Sequence, residues 1–217
     1  MQRAPLVVGH RGAPRYAPEN TLAGFRRAAD LGADGIELDA KLTADGVVVC
    51  HHDRTLERTT DGRGRVLDWT WESLRRLDAG SHAGPAFAGE PIPSLEQVFG
   101  ELGNRLLFDV ELTNYGSPWD RLPEAVVRLV ERFGLERKVL LSSFNTIALR
   151  RSARLSPRLP LGLLLRQDQG GLRRGVFPWI TPHEALNLGE SLAAPAVARR
   201  LVRRGKRVFV WTVNDAA

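Results

Sequence analysis

Residues 35–53 read GIELDAKLTADGVVVCHHD and contain the clearest indications of the fold. Its two apolar runs, Gly35–Leu38 and Val47–Cys50, are short and aliphatic, which is typical of buried strands. The dipeptide Asp45-Gly46 between them favours a tight turn, so we predict that the second run folds back on the first as a hairpin. Acidic or imidazole residues lie within the first run and directly after the second. In folds built on buried parallel strands, the carboxyl ends of the strands form the active face.

The same type of short apolar run recurs on both sides of this stretch and alternates with helical segments. The further predicted strands are Leu6–Val8, Leu106–Leu112, Val139–Ser142, Leu161–Leu165, Trp179–Pro182 and Arg207–Val213. The predicted helices run from Asn20-Thr21 to Gly32, from a capping box at Ser94–Gln97 to Leu102, over Leu122–Phe133, from Asn145 to Ser156, and from Pro195 to Gly205. This alternation implies an α/β fold with a parallel sheet, most simply a TIM-type (β/α) barrel.

Two features depart from a regular barrel. Residues 54–93 contain no clear strand–helix unit, and we interpret them as a small insertion after the second-strand hairpin that lies over the active face. We count seven barrel strands, whereas a TIM-type barrel has eight strands and typically about 250 residues. We therefore expect residues 1–217 to form a single barrel domain that lacks the eighth strand. Either the chain is truncated or the barrel is open beside its seventh strand.

The composition indicates a globular domain, since 43% of the 217 residues are hydrophobic, 26% are charged and no apolar stretch approaches a membrane span. Three of the 31 basic residues are lysines and the rest are arginines, and the net charge is +6. A GC-rich coding genome explains this bias most simply, and steering of an anionic substrate is the alternative. The arginines are scattered among glutamates, which argues against nucleic-acid binding. Because Cys50 is the only cysteine, no intramolecular disulfide can form, and we expect a cytoplasmic protein.

Three carboxylates are candidates for a metal site. Glu37 and Asp39 are two residues apart on one strand and therefore point to the same side, and Asp109 and Glu111 have the same spacing on another. Acidic side chains within apolar strands need a partner, because an unpaired buried charge is costly. Oxygen ligands without cysteine suit Mg²⁺ or Ca²⁺ better than zinc, so we predict one such cation at Glu37, Asp39 and Glu111. Helix capping and surface solvation are the alternative, and Asp109 is equally consistent with a hydrogen bond to a ligand or neighbour.

Two histidines flank these carboxylates. His10 follows the first strand and His52 follows the hairpin, and an imidazole pair can accept one proton and donate another near neutral pH. A buried structural role is the alternative for each of them. If His52 faces inward, alternation along the strand turns His51 away from the site. Asp53 is placed to orient an imidazole or an arginine, and Arg11 offers a guanidinium fork for phosphate oxygens.

The order of these motifs resembles the glycerophosphodiester phosphodiesterase family over nearly the whole chain. The residues that carry the resemblance are His10-Arg11-Gly12, Pro18–Thr21, Ile36–Asp39, Leu42-Thr43, Asp45-Gly46, His52-Asp53, Thr59–Gly62, Ile92–Leu95, Phe108–Leu112, Ser142–Phe144 and Trp211–Asn214. The resemblance implies metal-dependent hydrolysis of glycerophosphodiesters, which are small molecules, to glycerol 3-phosphate and an alcohol. From the absence of a long apolar run we also expect no stable membrane insertion, and the sequence leaves the oligomeric state open.

The resemblance also implies roles for the site residues. It implies that the metal ligands are Glu37, Asp39 and Glu111. The catalytic acid–base pair would be His10 and His52, and the substrate-binding residues would be Arg11 and Trp211. We favour His52 as the acid that protonates the leaving alcohol. Trp211 would pack against the glycerol carbons, with core packing as the alternative.

The sequence departs from the family at Thr113, where the family usually has a lysine two residues after its third metal carboxylate. One phosphate contact is therefore weakened or supplied elsewhere.

Two other functions stay open. A lysophospholipase D-type enzyme would act on larger lipids, and the chain has no membrane-binding helix with a basic face to support it. An inactive, truncated binding module would not need the two histidines that the chain retains. The aromatic residues that could form an apolar entry for a lipid are Trp69, Trp71, Phe87 and Trp119.

Overall fold

The computed structural model describes residues 4–113, 117, 119–169 and 177–214, which contain one sheet of eight strands. The strands are β1 (Val8–His10), β2 (Gly35–Leu42), β3 (Val48–Cys50), β4 (Leu107–Leu112), β5 (Val139–Ser143), β6 (Leu161–Leu165), β7 (Ala185–Gly189) and β8 (Arg207–Trp211). The helices are α1 (Leu22–Asp30), α2 (Trp71–Leu74), α3 (Leu95–Leu102), α4 (Leu122–Phe133), α5 (Thr146–Leu155), α6 (Phe177–Ile180) and α7 (Pro195–Arg203). Short 3₁₀ turns cover Val66–Asp68, Ser81–Ala83, Pro85–Phe87 and Glu190–Leu192.

The sheet order is β1-β2-β4-β5-β6-β7-β8, and all neighbours in this order are parallel. β3 pairs antiparallel with the end of β2, which places Cys50 opposite Ala40. The predicted TIM-type barrel and the predicted hairpin are therefore confirmed. The strands at the two ends of this order, β1 and β8, do not pair with each other in the described part of the chain, where we count seven barrel strands as predicted. Residues 215–217 lie outside the described residues.

One predicted strand is wrong. Residues 179–182 do not join the sheet, because Phe177–Ile180 is helical and the strand of this unit is Ala185–Gly189. Trp179 and Ile180 are 80% and 48% exposed, so they are not the core-facing residues that the apolar run suggested. The sequence pattern missed β7 because Asn187, a buried polar residue, interrupts its apolar run.

The first strand also has different bounds from those predicted. β1 covers Val8–His10 instead of Leu6–Val8, and its pairing with β2 begins at Val8. Leu6 and Val7 are largely exposed. His10 is consequently the last residue of the strand rather than a residue of the following loop.

Side chains that cap the helices occupy the predicted places. Thr21 caps α1, Ser94 and Gln97 form the capping box of α3, and Asn145 caps α5. Gly134 ends α4 with a left-handed φ of 64°, a conformation that glycine adopts without strain. None of the helices within the described ranges combines the length and apolar character needed to cross a membrane.

The segment between β3 and α3 has a small core of its own. Val49 of β3 is buried together with five apolar residues of the segment, namely Leu56, Val66, Leu74, Ala79 and Ile92. The Cys50 N–H donates a hydrogen bond to the Pro93 carbonyl at 3.0 Å, and the Ala23 N–H donates to Glu90 Oε1 at 2.9 Å. These contacts join the segment to β3 and to the first turn of α1.

A cavity of about 1510 Å³ opens at the carboxyl ends of the strands and extends along the seam between β1 and β8. Its lining includes residues 6–11 on one side of the seam and residues 207–214 on the other. The main apolar core lies between the sheet and the helices, with Ile36, Leu38, Val110 and Leu141 fully buried on the outer face of the strands. The cavity is therefore the part of the barrel where polar side chains of the strand ends meet solvent.

Candidate active site

β2 and β4 bring the acidic residues together through their register. Glu37 lies opposite Asp109, and Asp39 lies opposite Glu111, so two layers of carboxylates face the inside of the barrel. Oxygen atoms of Glu37, Asp39 and Glu111 lie within 4.8 Å of one another. Ca²⁺ binds oxygen at about 2.5 Å, so ligands of one ion can be separated by up to about 5 Å. The three carboxylates can therefore hold one metal ion, as predicted.

The electrostatics of these carboxylates favour a cation. Burial raises the pKa of Glu37 and of Glu111 well above the ordinary value. The negative charges of Asp39 and Asp109 act in the same direction on both groups, and that of Glu111 adds to the effect on Glu37. Asp39 Oδ1 is buried and has no hydrogen-bond partner among the described residues, which leaves it available as a ligand. An all-oxygen set with an orphaned buried oxygen fits a hard divalent cation.

Backbone and side-chain donors hold the two acidic residues of β2. Asn20 Nδ2 donates to Asp39 Oδ2 at 2.8 Å, and the Asp39 N–H donates to Asn20 Oδ1 at 3.1 Å. The Arg11 N–H donates to Glu37 Oε2 at 2.9 Å. Arg11 and Asn20 both have a positive φ of 54°, uncommon for residues other than glycine. The loop after β1 is therefore bent so that it supplies donors to the two carboxylates of β2.

Asp109 has a different environment from the other three carboxylates. Its Oδ2 accepts a hydrogen bond from Asn187 Nδ2 at 2.6 Å, and burial raises the pKa of Asp109 to about 6. Its oxygens are not part of the close carboxylate group. The hydrogen bond to a neighbour, which was the alternative for Asp109, is the contact that the structure shows.

His10 and His52 line the same cavity, together with Glu37 and Glu111. His10 Nε2 lies 3.8 Å from Glu37 Oε2. Burial lowers the pKa of His10, and the neighbouring positive charge of Arg11 lowers it further, so the neutral imidazole is favoured near pH 7. His52 Nδ1 lies 2.6 Å from Asp53 Oδ1. The two imidazoles thus face one space from different strands.

His51 and His52 both follow the last residue of β3 and have different surroundings. His51 is 4% exposed, and its Nε2 is 3.0 Å from the Thr55 carbonyl oxygen in the inserted segment. It is not among the residues that line the cavity. His51 therefore has a buried position under the insertion, away from the cavity that His52 lines.

Arg11 and Trp211 also line the cavity. Arg11 Nη1 donates to Glu19 Oε1 at 3.1 Å, and its Nε lies 3.3 Å from Asp39 Oδ2. The Trp211 ring packs edge-on against Phe144 with a centroid distance of 5.8 Å, and its Nε1 donates to the Asn187 carbonyl at 3.1 Å. Trp211 therefore both packs against its neighbours and presents part of its ring to the cavity.

Lys41 is a site residue that the sequence interpretation missed. It follows Glu37 and Asp39 at the same two-residue spacing on β2, and its Nζ donates to Thr113 Oγ1 at 2.7 Å. Burial lowers the pKa of Lys41, while the charges of Asp39 and Glu111 oppose this effect. The ammonium therefore lies close to the carboxylate group. The spacing 37, 39, 41 was the signal that could have identified it.

Glu19 and Asn20 were also missed as site residues. We interpreted Asn20 as part of a helix cap, but Thr21 caps the helix and Asn20 holds Asp39. Glu19 lies between the guanidinium groups of Arg11 and Arg58. Burial alone would raise the pKa of Glu19, but hydrogen bonds from Arg58 and the charge of Arg11 lower it to about 2. Both residues belong to the Pro18–Thr21 motif, whose position in the loop between the first strand and the first helix was the available signal.

Comparison with known proteins points to one family. The family model for the glycerophosphoryl diester phosphodiesterase family matches residues 10–217. A glycerophosphodiester phosphodiesterase of Caldanaerobacter subterraneus subsp. tengcongensis is 40% identical, with 96% of this chain and 86% of that protein covered. A phosphodiesterase of Oleispira antarctica has been solved in complex with the product sn-glycerol-3-phosphate. Its sequence is 29% identical to this chain, and the two structures superpose with a TM-score of 0.87 over 97% of this chain and 85% of the Oleispira antarctica chain. A glycerophosphodiester phosphodiesterase of Agrobacterium tumefaciens is also 29% identical, with a TM-score of 0.82 over 98% of this chain and 88% of that one.

Proposed function

Because this chain belongs to the glycerophosphoryl diester phosphodiesterase family, we propose that it hydrolyses glycerophosphodiesters to glycerol 3-phosphate and an alcohol with the help of one divalent cation. The observation that carries the proposal is the convergence of three carboxylates and two histidines on one cavity. The product held by the related Oleispira antarctica phosphodiesterase supports the substrate class. We further propose that residues 1–217 act as one catalytic domain with residues 54–93 inserted.

Glu37, Asp39 and Glu111 would hold the cation, which we take to be Mg²⁺ or Ca²⁺ because every ligand is a carboxylate oxygen. When bound, such an ion polarises a phosphoryl oxygen and favours the ionised form of an oxygen nucleophile. Asn20 and the Arg11 N–H fix the direction of the Asp39 and Glu37 carboxylates. The protein thus orients its ligands before the ion and the substrate arrive.

We assign the two proton transfers to His10 and His52. His10, whose neutral form is favoured by burial, accepts the proton of the nucleophile, which is either water or the neighbouring hydroxyl of the substrate. As the bond between phosphorus and the alcohol oxygen breaks, His52 donates a proton to that oxygen, because an alkoxide is too basic to leave unaided. Asp53 occupies Nδ1 of His52 and so leaves Nε2 for the leaving group.

Two basic side chains would offset the negative charge of the phosphodiester. Arg11 lines the cavity. The Lys41 ammonium donates a hydrogen bond to the hydroxyl of Thr113, which occupies the position where the family usually has a lysine. We therefore propose that Lys41 supplies from β2 the charge that the family supplies from the neighbouring strand. Trp211 would lie against the glycerol carbons.

We also propose a cytoplasmic location and a small-molecule substrate. The location rests on the single cysteine, Cys50, whose buried thiol has no intramolecular disulfide partner. The substrate size rests on the cavity, which has room for a glycerophosphodiester beside the carboxylates.

The test is turnover of a panel of phosphodiesters by the purified chain. We expect release of glycerol 3-phosphate from glycerophosphodiesters with small alcohols, complete loss of activity in EDTA, and recovery when Mg²⁺ or Ca²⁺ is added in excess. Full activity in the chelator would contradict the metal site. Preference for a long-chain lysophospholipid would instead favour the lysophospholipase D-type alternative. Binding without turnover under every metal condition would favour a binding module.

A further inference from the structure

The guanidinium of Arg58, in the inserted segment, joins two carboxylates from different parts of the barrel. Its Nε donates to Asp53 Oδ2 at 2.5 Å, and its Nη2 donates to Asp53 Oδ1 at 3.2 Å. The same group donates from Nη1 to Glu19 Oε2 at 3.0 Å and from Nη2 to Glu19 Oε1 at 2.7 Å. A planar fork of this kind fixes both carboxylates at once, which the single ammonium of a lysine cannot do.

Each of the two carboxylates holds a residue of the proposed active site. Asp53 Oδ1 lies 2.6 Å from His52 Nδ1, and Glu19 Oε1 accepts a hydrogen bond from Arg11 Nη1 at 3.1 Å. Burial opposes ionisation of Asp53, but the hydrogen bonds from Arg58 and His52 hold its pKa well below the usual value. Asp53 is therefore an ionised acceptor for the imidazole near neutral pH.

The His52–Asp53 pair would be loosely held without a third partner. The His52 side chain is 40% exposed and that of Asp53 is 28% exposed, and a solvent-exposed ion pair by itself restricts its members weakly. Arg58 contacts both oxygens of Asp53 and so limits rotation of the carboxylate. It also neutralises part of the Asp53 charge, which moderates the attraction of that charge for the imidazole proton.

We propose that Arg58 is a positioning residue for the hydrolysis, which acts on the leaving alcohol through Asp53 and His52. The inference rests on the proposed function and deepens it, because it gives the inserted segment a part in the proton transfer. Arg58 itself contacts carboxylates and neither the metal ligands nor the seam of the cavity. The insertion thus places a guanidinium where it fixes one imidazole of the acid–base pair.

The first test compares Arg58→Ala with a matched control in the same segment. Arg65 is the control, because it is similarly exposed and forms a two-contact ion pair with Asp68 away from the histidines. We expect Arg58→Ala to lower kcat about 10–100-fold, the usual range for an outer partner of a reactive group, with KM changed less than about twofold. Arg58→Lys should recover only part of this loss, and Arg65→Ala should keep wild-type kcat. A wild-type kcat for Arg58→Ala would overturn the proposal.

A double-mutant cycle separates positioning from a structural effect. If Arg58 acts through His52, adding Arg58→Ala to His52→Ala should lower kcat by less than about twofold. An equal loss in both backgrounds, or a loss of kcat explained by a matching fall in the urea midpoint, would overturn the proposal. The ¹⁵N signals of the His52 imidazole give a second readout that needs no turnover. We expect them to shift in Arg58→Ala and to stay unchanged in Arg65→Ala, and unchanged signals in both variants would also count against the proposal. Failure of the wild-type chain to hydrolyse any glycerophosphodiester would refute the proposed function instead.

Discussion

Three side chains of the proposed site are held by hydrogen bonds with a neighbouring residue. Asn20 holds Asp39, the backbone N–H of Arg11 holds Glu37, and Asp53 holds His52. Such partners act by limiting the directions in which a ligand or an imidazole can point. Substitution of a reactive group should therefore cost more activity than substitution of its partner.

The two histidines provide the most direct test at this scale. We expect His10→Ala and His52→Ala each to lower kcat about 10²–10⁴-fold, which is the contribution of a general acid or base. His82→Ala is the matched control, because His82 is exposed in the inserted segment, and it should keep wild-type kcat. His51 is unsuitable as a control, since it is buried and its replacement would lower stability. Wild-type kcat in either active-site variant would refute the acid–base assignment.

Lys41 and Thr113 allow a charge-relocation experiment. Lys41→Ala should lower kcat/KM about 10²-fold, the effect of losing one preorganised group that stabilises phosphate charge. Because Lys41 Nζ is in contact with Thr113 Oγ1, a lysine at position 113 can place its ammonium in the same region. Thr113→Lys should therefore restore most of the lost kcat/KM in the Lys41→Ala background. Lys138→Ala, which removes a lysine bonded to the Gly103 carbonyl, is the control. A double variant no better than Lys41→Ala would disprove the relocation.

Glu19 predicts a specific dependence of stability on pH. Its pKa in the folded protein is about 2, below the ordinary value of 4.5, so its carboxylate stabilises the fold fully above pH 4.5. The contribution is lost as the pH falls from 4.5 towards 2. Allowing for partial solvent screening, we expect it to be about 1–2 kcal/mol. The free energy of unfolding should thus fall less steeply in this interval for Glu19→Gln than for the wild type or for exposed Glu131→Gln. Parallel urea titrations at several pH values would measure the slopes, and equal slopes would exclude this role.

Strand alternation predicted which side chains of one strand point to the same face. It could not predict contacts between separate segments of the chain. The directions of Glu37 and Asp39 follow from the two-residue period of β2. The contact between Glu19 and Arg58 joins residues 39 positions apart and exists only because the insertion folds back over the loop after β1. No local pattern encodes such an approach.

Among the elements, the inserted segment differs most from a regular βα unit. It has only short helical turns, yet it closes a core of its own on Val49. A segment of this kind gains its stability from packing rather than from helix formation, because isolated short helices are marginal in water. The small core therefore determines whether Arg58 remains in place over the site.

Two leucines of the insertion test this dependence. Leu74 is fully buried in the small core, and Leu67 is 57% exposed on the same segment. We expect Leu74→Ala to lower the free energy of unfolding by about 2–5 kcal/mol, the usual effect of such a truncation in a core, and Leu67→Ala by less than about 0.5 kcal/mol. Urea unfolding would measure both. Equal effects would mean that the segment does not depend on its buried residues for stability.

The prediction of helices and strands succeeded where capping signals and apolar periodicity agreed. It failed for the strand in which a polar side chain is buried inside the barrel. The capping signals at Ser94 and Asn145 identified their helices because they act locally. β7 was missed because Asn187 faces inward to bond Asp109, a role that only the closed sheet creates. The exposed Trp179 then misled the assignment, since a large apolar residue usually indicates burial.

Across the sheet as a whole, strand pairing and burial are most extensive in the central strands. They are least extensive at the seam between β1 and β8. β2, β4 and β5 have neighbours on both sides and are largely buried. Among the described residues, β8 pairs on one side only, with β7, and Val210 within it is 40% exposed. α7, which precedes β8, has no buried residue. α7 and β8 therefore contribute little buried apolar surface, although Trp211 belongs to the proposed site.

This distribution predicts a gradient of local stability that amide hydrogen exchange can measure. Local opening is controlled by the buried contacts and hydrogen bonds of the segment that opens, so residues 195–211 should open at a lower free energy than the central strands. We expect their amides to exchange at least about tenfold faster than those of β4 and β5, a difference of about 1.4 kcal/mol or more. Measurements at two protein concentrations would reveal protection that comes from association of the unpaired edges rather than from the fold. Equal protection of β8 and β4 at both concentrations would show that the seam is as stable as the centre of the sheet, and would refute the gradient.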